Sequence, residues 1–205
     1  MTIFILRHGE TDFNKQGIVQ GSGVDTDLNE TGRAQANAFF QTYRETPFDL
    51  VVTSTLKRTL QTITPFIDSN IPLLKTPDIN EISWGEHEGK SGTPERLAVF
   101  RQVVDDWKNR KYDASLPGGE SATALATRLN RFIQWMKSQP AKNLLVCTHG
   151  RTMRALVTLM KNKELAQMED TKHANTGCYI VRLQNNHFIF DVENSISHLV
   201  NLSNS

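Results

Sequence analysis

The chain predicts an α/β fold in which strands alternate with helices, and three observations carry that reading. Short apolar runs at 2–6, 50–53 and 144–147 have the length and composition of buried strands. Stretches with apolar residues at helical spacing separate them. Two of the strands end alike, in Arg7-His8-Gly9 and in Thr148-His149-Gly150.

Taken in order, the first strand (3–7) gives way to a polar loop through Asp27 and then a helix over about 30–44. Asn29 is its cap, and Ala34, Ala38 and Phe39 are placed on its buried side. Strand 50–53 leads through Ser54, read as a cap, into a helix that carries Lys57 and Arg58 in its first turns. Pro65 is expected to kink or end that helix early. A short strand at 73–75 precedes the segment around Glu81. From 92 to 116 the pattern is helical but polar, with a stripe of Leu97, Phe100, Val103, Val104 and Trp107. A helix over 121–138 sets Leu125, Leu129, Phe132, Ile133 and Met136 at core spacing. It feeds strand 144–147, after which Gly150 opens a helix over 151–160. Runs 178–183 and 188–192 read as a hairpin joined at Asn185-Asn186, and the polar tail beyond Ser195 is expected to fray.

A chain of 205 residues can bury a full core, and one domain is the better prior. With 23 basic and 22 acidic residues and a formal charge of +1, composition gives no reason to expect nucleic-acid binding. Cys147 and Cys178 lie in apolar strand patterns, as buried free thiols do. No secretory pattern precedes Ile3 and no run of about 18 apolar residues occurs, so a cytoplasmic protein without membrane contact is expected. No Cys/His cluster has metal-ligand spacing, so no metal is expected.

The chemistry is concentrated at strand ends. In an open α/β sheet, ligands bind outside the carboxyl ends of the strands, and there Arg7 offers a planar fork of donors suited to phosphate oxygens. His8 has the chemistry of a nucleophile. A lone histidine after a strand is usually a loop residue, and a lone arginine on an amphipathic helix is usually exposed; two His-Gly turns, one preceded by arginine, shift that balance. Glu10, Glu81, Glu86 and Glu88 all occupy loop positions open to a proton donor, and spacing alone does not choose among them. His87, His173, His187 and His198 lack such companions. The polar stretch 169–177 around His173 is open to a surface or a substrate-facing loop, and a solvated His173 is the favoured reading; His187 belongs at the hairpin tip.

The motifs taken together resemble the histidine phosphatase superfamily, the group that includes the cofactor-dependent phosphoglycerate mutases. The resemblance rests on Leu6-Arg7-His8-Gly9-Glu10-Thr11 with Asn14, on Gln20-Gly21, Asp27-Leu28, Thr31-Gly32 and Gln35-Ala36. It continues through Thr53-Ser54, Arg58 and Gln61-Thr62, then Asn80-Glu81-Ile82, Trp84-Gly85, Glu88-Gly89, Pro117-Gly118-Gly119-Glu120-Ser121 and Thr148-His149-Gly150. It implies a three-layer α/β/α architecture with a mostly parallel central sheet, as in phosphoglycerate mutases. Residues 1–205 would form one such domain, with an inserted, mostly helical cover at about 82–120 that helps decide the substrate. It also implies roles. His8 takes the phosphoryl group, Arg7, Arg58 and His149 contact its oxygens, and Glu81 is the general acid, while Glu10 keeps a structural role and Glu88 shapes the mouth. Asn14, Gln20, Gly21 and Gly150 complete substrate binding, Gly150 at a helix N-terminus that favours an anion. Such a site needs fixed positive groups more than a metal or cofactor, because the transferred group spreads charge over three oxygens.

Within the resemblance, the mutases carry a double-arginine segment after the glutamate motif. Here Arg96 and Arg101 stand apart, and Asn109-Arg110-Lys111 is an imperfect substitute. The expected activity is therefore hydrolysis of a small phosphate monoester through a phosphohistidine on His8. Mutase-type phosphoryl transfer is the alternative, and a non-catalytic phospho-ligand module a remote one, since Arg7, His8, Arg58, Glu81 and His149 are all present. The expected partner is a small phosphorylated metabolite, met by a monomer or homodimer.

Overall fold

A computed structural model describes residues 1–202 of the chain. Six strands, β1 (Thr2–Arg7), β2 (Leu50–Thr53), β3 (Leu73–Lys75), β4 (Asn143–Thr148), β5 (Cys178–Gln184) and β6 (His187–Ser195), form one sheet in the order β3-β2-β4-β1-β5-β6. The first four of that order run parallel, while β5 is antiparallel to β1 and β6 to β5. β1 is central, and Ile3, Phe4, Ile5 and Leu6 are all buried, as both-face coverage demands.

Helices cover the two faces. On one, α2 (Glu30–Tyr43) and α3 (Lys57–Ile67) pack Phe39, Ile63 and Phe66 against Phe4, Leu6, Val51, Leu145 and Cys147. On the other, α5 (Ala122–Ser138) and α6 (Gly150–Met160) pack Leu125, Leu129, Phe132, Met153 and Leu156 against Ile3, Ile5, Val52, Leu144 and Val146. The alternation of these strand residues between the two clusters is the period-two pleat. The short α1 (Asp12–Gln16) follows β1, and α4 (Pro94–Lys108) joins the α5/α6 side through Val103, Val104 and Trp107.

Several sequence expectations need correction. On α2, capped by Asn29 as expected, the buried residues are Gly32, Ala36 and Phe39; Ala34 is exposed and Ala38 half-buried. The stripe is rotated because Gly32 lies against the turn after β1, where a Cβ on Gly32 would sit 2.1 Å from the Glu10 carbonyl oxygen. Ser54 is not the α3 cap. Leu56 occupies that position without a side-chain bond, and Pro65 lies inside a helix that continues to Ile67. A proline so near the end forfeits a single helical hydrogen bond, so the helix neither stops nor breaks there. α4 ends at Lys108 because Asn109 caps it and Arg110 turns the chain with φ 64°, and Leu97 on its stripe is exposed. The tail does not fray at its start: residues 197–202 form a 3₁₀ turn, with His198 buried edge-on against Phe39 at 5.3 Å. Residues 203–205 lie outside the described residues.

The hairpin forms as expected, with Asn185 and Asn186 both at positive φ. Cys147 and Cys178 are buried free thiols. No helix among the described residues is long and apolar enough to cross a membrane.

Candidate active site

Because β1, β4 and β2 are parallel neighbours, their carboxyl ends fall on one edge: Arg7 pairs with Thr148, and Thr53 with Cys147. The next residue on each strand, His8, His149 and Ser54, is therefore delivered to the same place, and all three are buried.

His8 Nδ1 lies 2.7 Å from the Gly9 carbonyl oxygen. A carbonyl only accepts, so Nδ1 carries the proton and Nε2 keeps a free lone pair. Burial, with Arg58 and Arg7 adding to it, holds the His8 pKa well below its ordinary value, and the ring is neutral at neutral pH. The turn itself is fixed by Gly9 N–H donating to Thr62 Oγ1 at 3.0 Å.

Arg58 is fully buried. It donates through Nη1 to Val24 O (2.7 Å), through Nη2 to Gly21 O (3.2 Å) and through Nε to His149 Nδ1 (3.1 Å). A guanidinium only donates, so His149 Nδ1 is the acceptor and its Nε2–H donates to Ser54 Oγ at 2.8 Å. Burial first, then Arg58, His8 and Arg7, keep His149 neutral. Its ring stands 5.1 Å from that of His8, yet both nitrogens are engaged. Both ring nitrogens of His149 thus have protein partners, Arg58 Nε on one side and Ser54 Oγ on the other. Gly21 likewise contributes through its carbonyl.

Arg7 donates through Nη1 to His173 O at 2.7 Å, while its Nε is buried without a hydrogen-bond partner. Burial draws its pKa down to about 10, against the opposing pull of Glu81. An orphaned buried donor is costly in an empty site and satisfied by a bound anion. Gly150, at the start of α6, permits this approach, since a Cβ there would lie 2.9 Å from the His173 ring and 3.4 Å from Arg7 Nε.

Glu81 is held at the α6 N-terminus. Its Oε1 accepts from Ile82 N and Thr152 N at 3.0 Å each and lies 3.0 Å from Thr152 Oγ1, whose single proton has its shorter bond to Asn80 O at 2.7 Å; its Oε2 accepts from Arg151 N at 3.0 Å. Oε2 is thus the oxygen with room for a proton. Its rivals sit elsewhere: Glu10 accepts from Asn29 Nδ2, Glu88 from Gly23 N and Trp84 N, and Glu86 is exposed.

These groups open on a cleft of about 300 Å³. Arg7, His8, Asn14, Arg58, Glu81 and Gly150 line it together with the apolar Phe13, Ile18, Val19, Trp84 and Phe100. Asn14 uses its Oδ1 on Thr11 N at 3.3 Å, and Gln20, also in the wall, donates to Thr11 Oγ1 at 2.6 Å. Two of the wall residues, His173 and Arg151, carry polar chemistry that sequence alone did not bring to the site. His173 is half-buried in the cleft rather than solvated, its pKa pushed down to about 3 by burial and Arg7. Arg151 pairs with Glu169 and lies over the rings of Trp84 and Trp107 (5.6 Å each) and Phe100 (6.0 Å). For Arg151 the available signal was its place directly after His149-Gly150; for His173 it was only the polar stretch 169–177, which left a substrate-facing loop open. Among the described residues, no group of three or more His, Cys, Asp or Glu side chains is placed to hold a metal.

The fold and this edge define an α/β protein with two arginines and two histidines gathered at the carboxyl ends of its parallel strands. The family model of the histidine phosphatase superfamily, branch 1, matches residues 3–195. A Schizosaccharomyces pombe protein named "Probable phosphatase" is 33% identical over 167 residues, covering 77% of this chain and 72% of its own. A 2,3-bisphosphoglycerate-dependent phosphoglycerate mutase of Cytophaga hutchinsonii is 28% identical over 204 residues, 96% of this chain and 92% of the relative. The alpha-ribazole phosphatase from Shigella flexneri superposes with a TM-score of 0.84 over 96% of this chain and 97% of its own at 24% identity, a likeness of fold. The chain belongs to the histidine phosphatase superfamily, branch 1.

Proposed function

We propose that the protein is a phosphomonoesterase working through a phosphohistidine on His8, without a metal. The observation that carries this reading is the state of His8: a neutral ring whose Nδ1–H is tied to Gly9 O, leaving the Nε2 lone pair for attack, in a cleft that Arg7 also lines with its Nε unpartnered. Nε2 attacks phosphorus and forms the N–P bond as the ester P–O bond breaks. Glu81, protonated on Oε2, gives that proton to the leaving oxygen. Water then attacks phosphorus, Glu81 takes its proton back, the N–P bond breaks and inorganic phosphate leaves. Arg7 and Arg58 stabilise the charge on the equatorial oxygens throughout, with Asn14 and the N–H of Gly150 as neutral donors and His149 and Gly21 holding Arg58 in place.

The substrate in this reading is a small phosphorylated metabolite, covered by the 82–120 segment through Trp84 and Phe100. Hydrolysis is favoured over mutase transfer because the three arginines weighed as substitutes for the missing pair lie away from the cleft, and Arg151, which does line it, is paired with Glu169. Arg96 donates to Ser91 O, Arg110 pairs with Glu164, Arg101 is exposed, and none of the three lines the cleft. We place the protein in the cytoplasm as a monomer or homodimer. The test is a panel of phosphate monoesters assayed for phosphate release, run beside 3-phosphoglycerate primed with 2,3-bisphosphoglycerate. Release from at least one ester, with interconversion of phosphoglycerates slower, supports phosphatase action. Interconversion faster than hydrolysis by about two orders of magnitude, some 3 kcal/mol in barrier height, overturns it in favour of mutase transfer.

A further inference from the structure

Behind the nucleophile lies a strap, residues 173–177, that joins the 3₁₀ turn at Leu165–Asp170 to β5 and grips the end of β1 at four points. His173 O accepts from Arg7 Nη1 (2.7 Å), Gly177 O accepts from Arg7 N (3.3 Å), and His8 O accepts from Asn175 Nδ2 (3.1 Å) and from Thr176 N (3.4 Å). The backbone of the nucleophile and one edge of its arginine are therefore set by this strap. The strap is itself strained, because Thr176, a β-branched residue, stands at φ 49°. A conformation of that kind persists only where surrounding contacts over-determine it.

Two contacts do so. Asn194 Oδ1, at the end of β6, accepts from Ala174 N at 2.8 Å. His198, in the terminal 3₁₀ turn, meets the buried Thr176 hydroxyl with Nε2 at 3.1 Å, its ring seated edge-on against Phe39 of α2. His198 takes no part in the chemistry described above, it is buried, and it lies past residue 195, where the family match ends. We propose that His198 is a positioning residue for the nucleophile: through Thr176 it holds the strap that fixes Arg7 and His8. The inference rests on His8 being the nucleophile for its kinetic consequence, and on the hydrogen bonds alone for its structural one.

The test compares His198→Ala, His198→Gln and Thr176→Val with the unaltered protein, at a temperature where each is folded by circular dichroism. The side-chain nitrogen of glutamine can reach where imidazole Nε2 does, and valine keeps the shape of threonine without its hydroxyl. Expected for His198→Ala and Thr176→Val is a fall in kcat of about tenfold or more with KM changed less than about threefold, restored to within about threefold in His198→Gln. The double variant His198→Ala/Thr176→Val should lose no more than either alone, since both remove one contact. A second readout needs no substrate: exchange of the His8 Nδ1 proton with solvent, followed by ¹⁵N-resolved NMR, should quicken in the alanine and valine variants and not in the glutamine one. A lowered melting temperature with kcat and proton exchange unchanged overturns the proposal. If the unaltered protein hydrolyses no ester, the phosphatase reading fails, and the exchange measurement still decides whether His198 positions His8.

Discussion

Replacing Glu81 by glutamine keeps the shape of the side chain and removes the proton it donates. Oε1 has two backbone donors, Ile82 N and Thr152 N, and Oε2 has one, Arg151 N. The amide oxygen of glutamine can keep the two, so the NH₂ falls opposite Arg151 N–H, donor against donor, at a stability cost of about 1–3 kcal/mol. The catalytic loss depends on the leaving group. An alkoxide cannot depart without a proton, so an alkyl phosphate should be hydrolysed about 10²- to 10⁴-fold more slowly, the range for loss of a general acid. p-Nitrophenolate is stable as the anion, so p-nitrophenyl phosphate should lose less than about tenfold. The assay is steady-state kcat/KM for both esters, with thermal melts to establish that the variant is folded. Equal losses on both esters would refute the assignment. So would leaving-group selectivity appearing in Glu86→Gln or Glu88→Gln and not in Glu81→Gln.

Ser54→Ala should strand the buried Nε2–H of His149 and the N–H of Leu56, costing about 1–3 kcal/mol in denaturant unfolding and lowering kcat as Arg58 loses its orientation. Gly32→Ala should destabilise by about 1–3 kcal/mol in the same measurement, because its Cβ would meet the Glu10 backbone at 2.1 Å rather than a side chain able to move. Burial holds the pKa values of His8, His149, His173 and His198 below the unfolded value of 6.5. Below that pH the unfolded chain takes up protons that the native state does not, so stability should fall as pH drops from 7 to 5.5, His8 and His149 each adding up to about 1.4 kcal/mol per pH unit and the less enclosed His173 and His198 less because solvent screens them. Urea midpoints at the two pH values check this, and an unchanged or higher midpoint at pH 5.5 contradicts it.

What the sequence made legible was mostly local. β1, β4, the Asn29 cap, the α5 stripe and the Asn185-Asn186 turn depend on a residue and its near neighbours, and they emerged where the pattern put them. The histidines and arginines at the strand ends were legible for the same reason. The errors share a different cause. Ser54 has the chemistry of a cap, yet its hydroxyl serves His149, 95 positions away, and α3 begins behind an uncapped Leu56. His149 could be placed at the sheet edge, but the engagement of both its nitrogens depends on Arg58 and Ser54 arriving from another strand. Ala34 faces solvent because Gly32 must dock on the turn after His8. His173 and His198 belong to no motif; the ring of His173 meets Gly150 at the start of α6, and that of His198 meets Phe39 of α2, contacts that only the folded chain brings about.

The central claim is that the phosphoryl group passes through His8, and rapid quenching of turnover with a ³²P-labelled monoester tests it most directly. The labelled protein should carry phosphate that is stable to base and lost in acid, located on His8 by peptide mapping and absent from His8→Ala. Label that survives in His8→Ala, or that maps to a serine or an aspartate, would contradict the account.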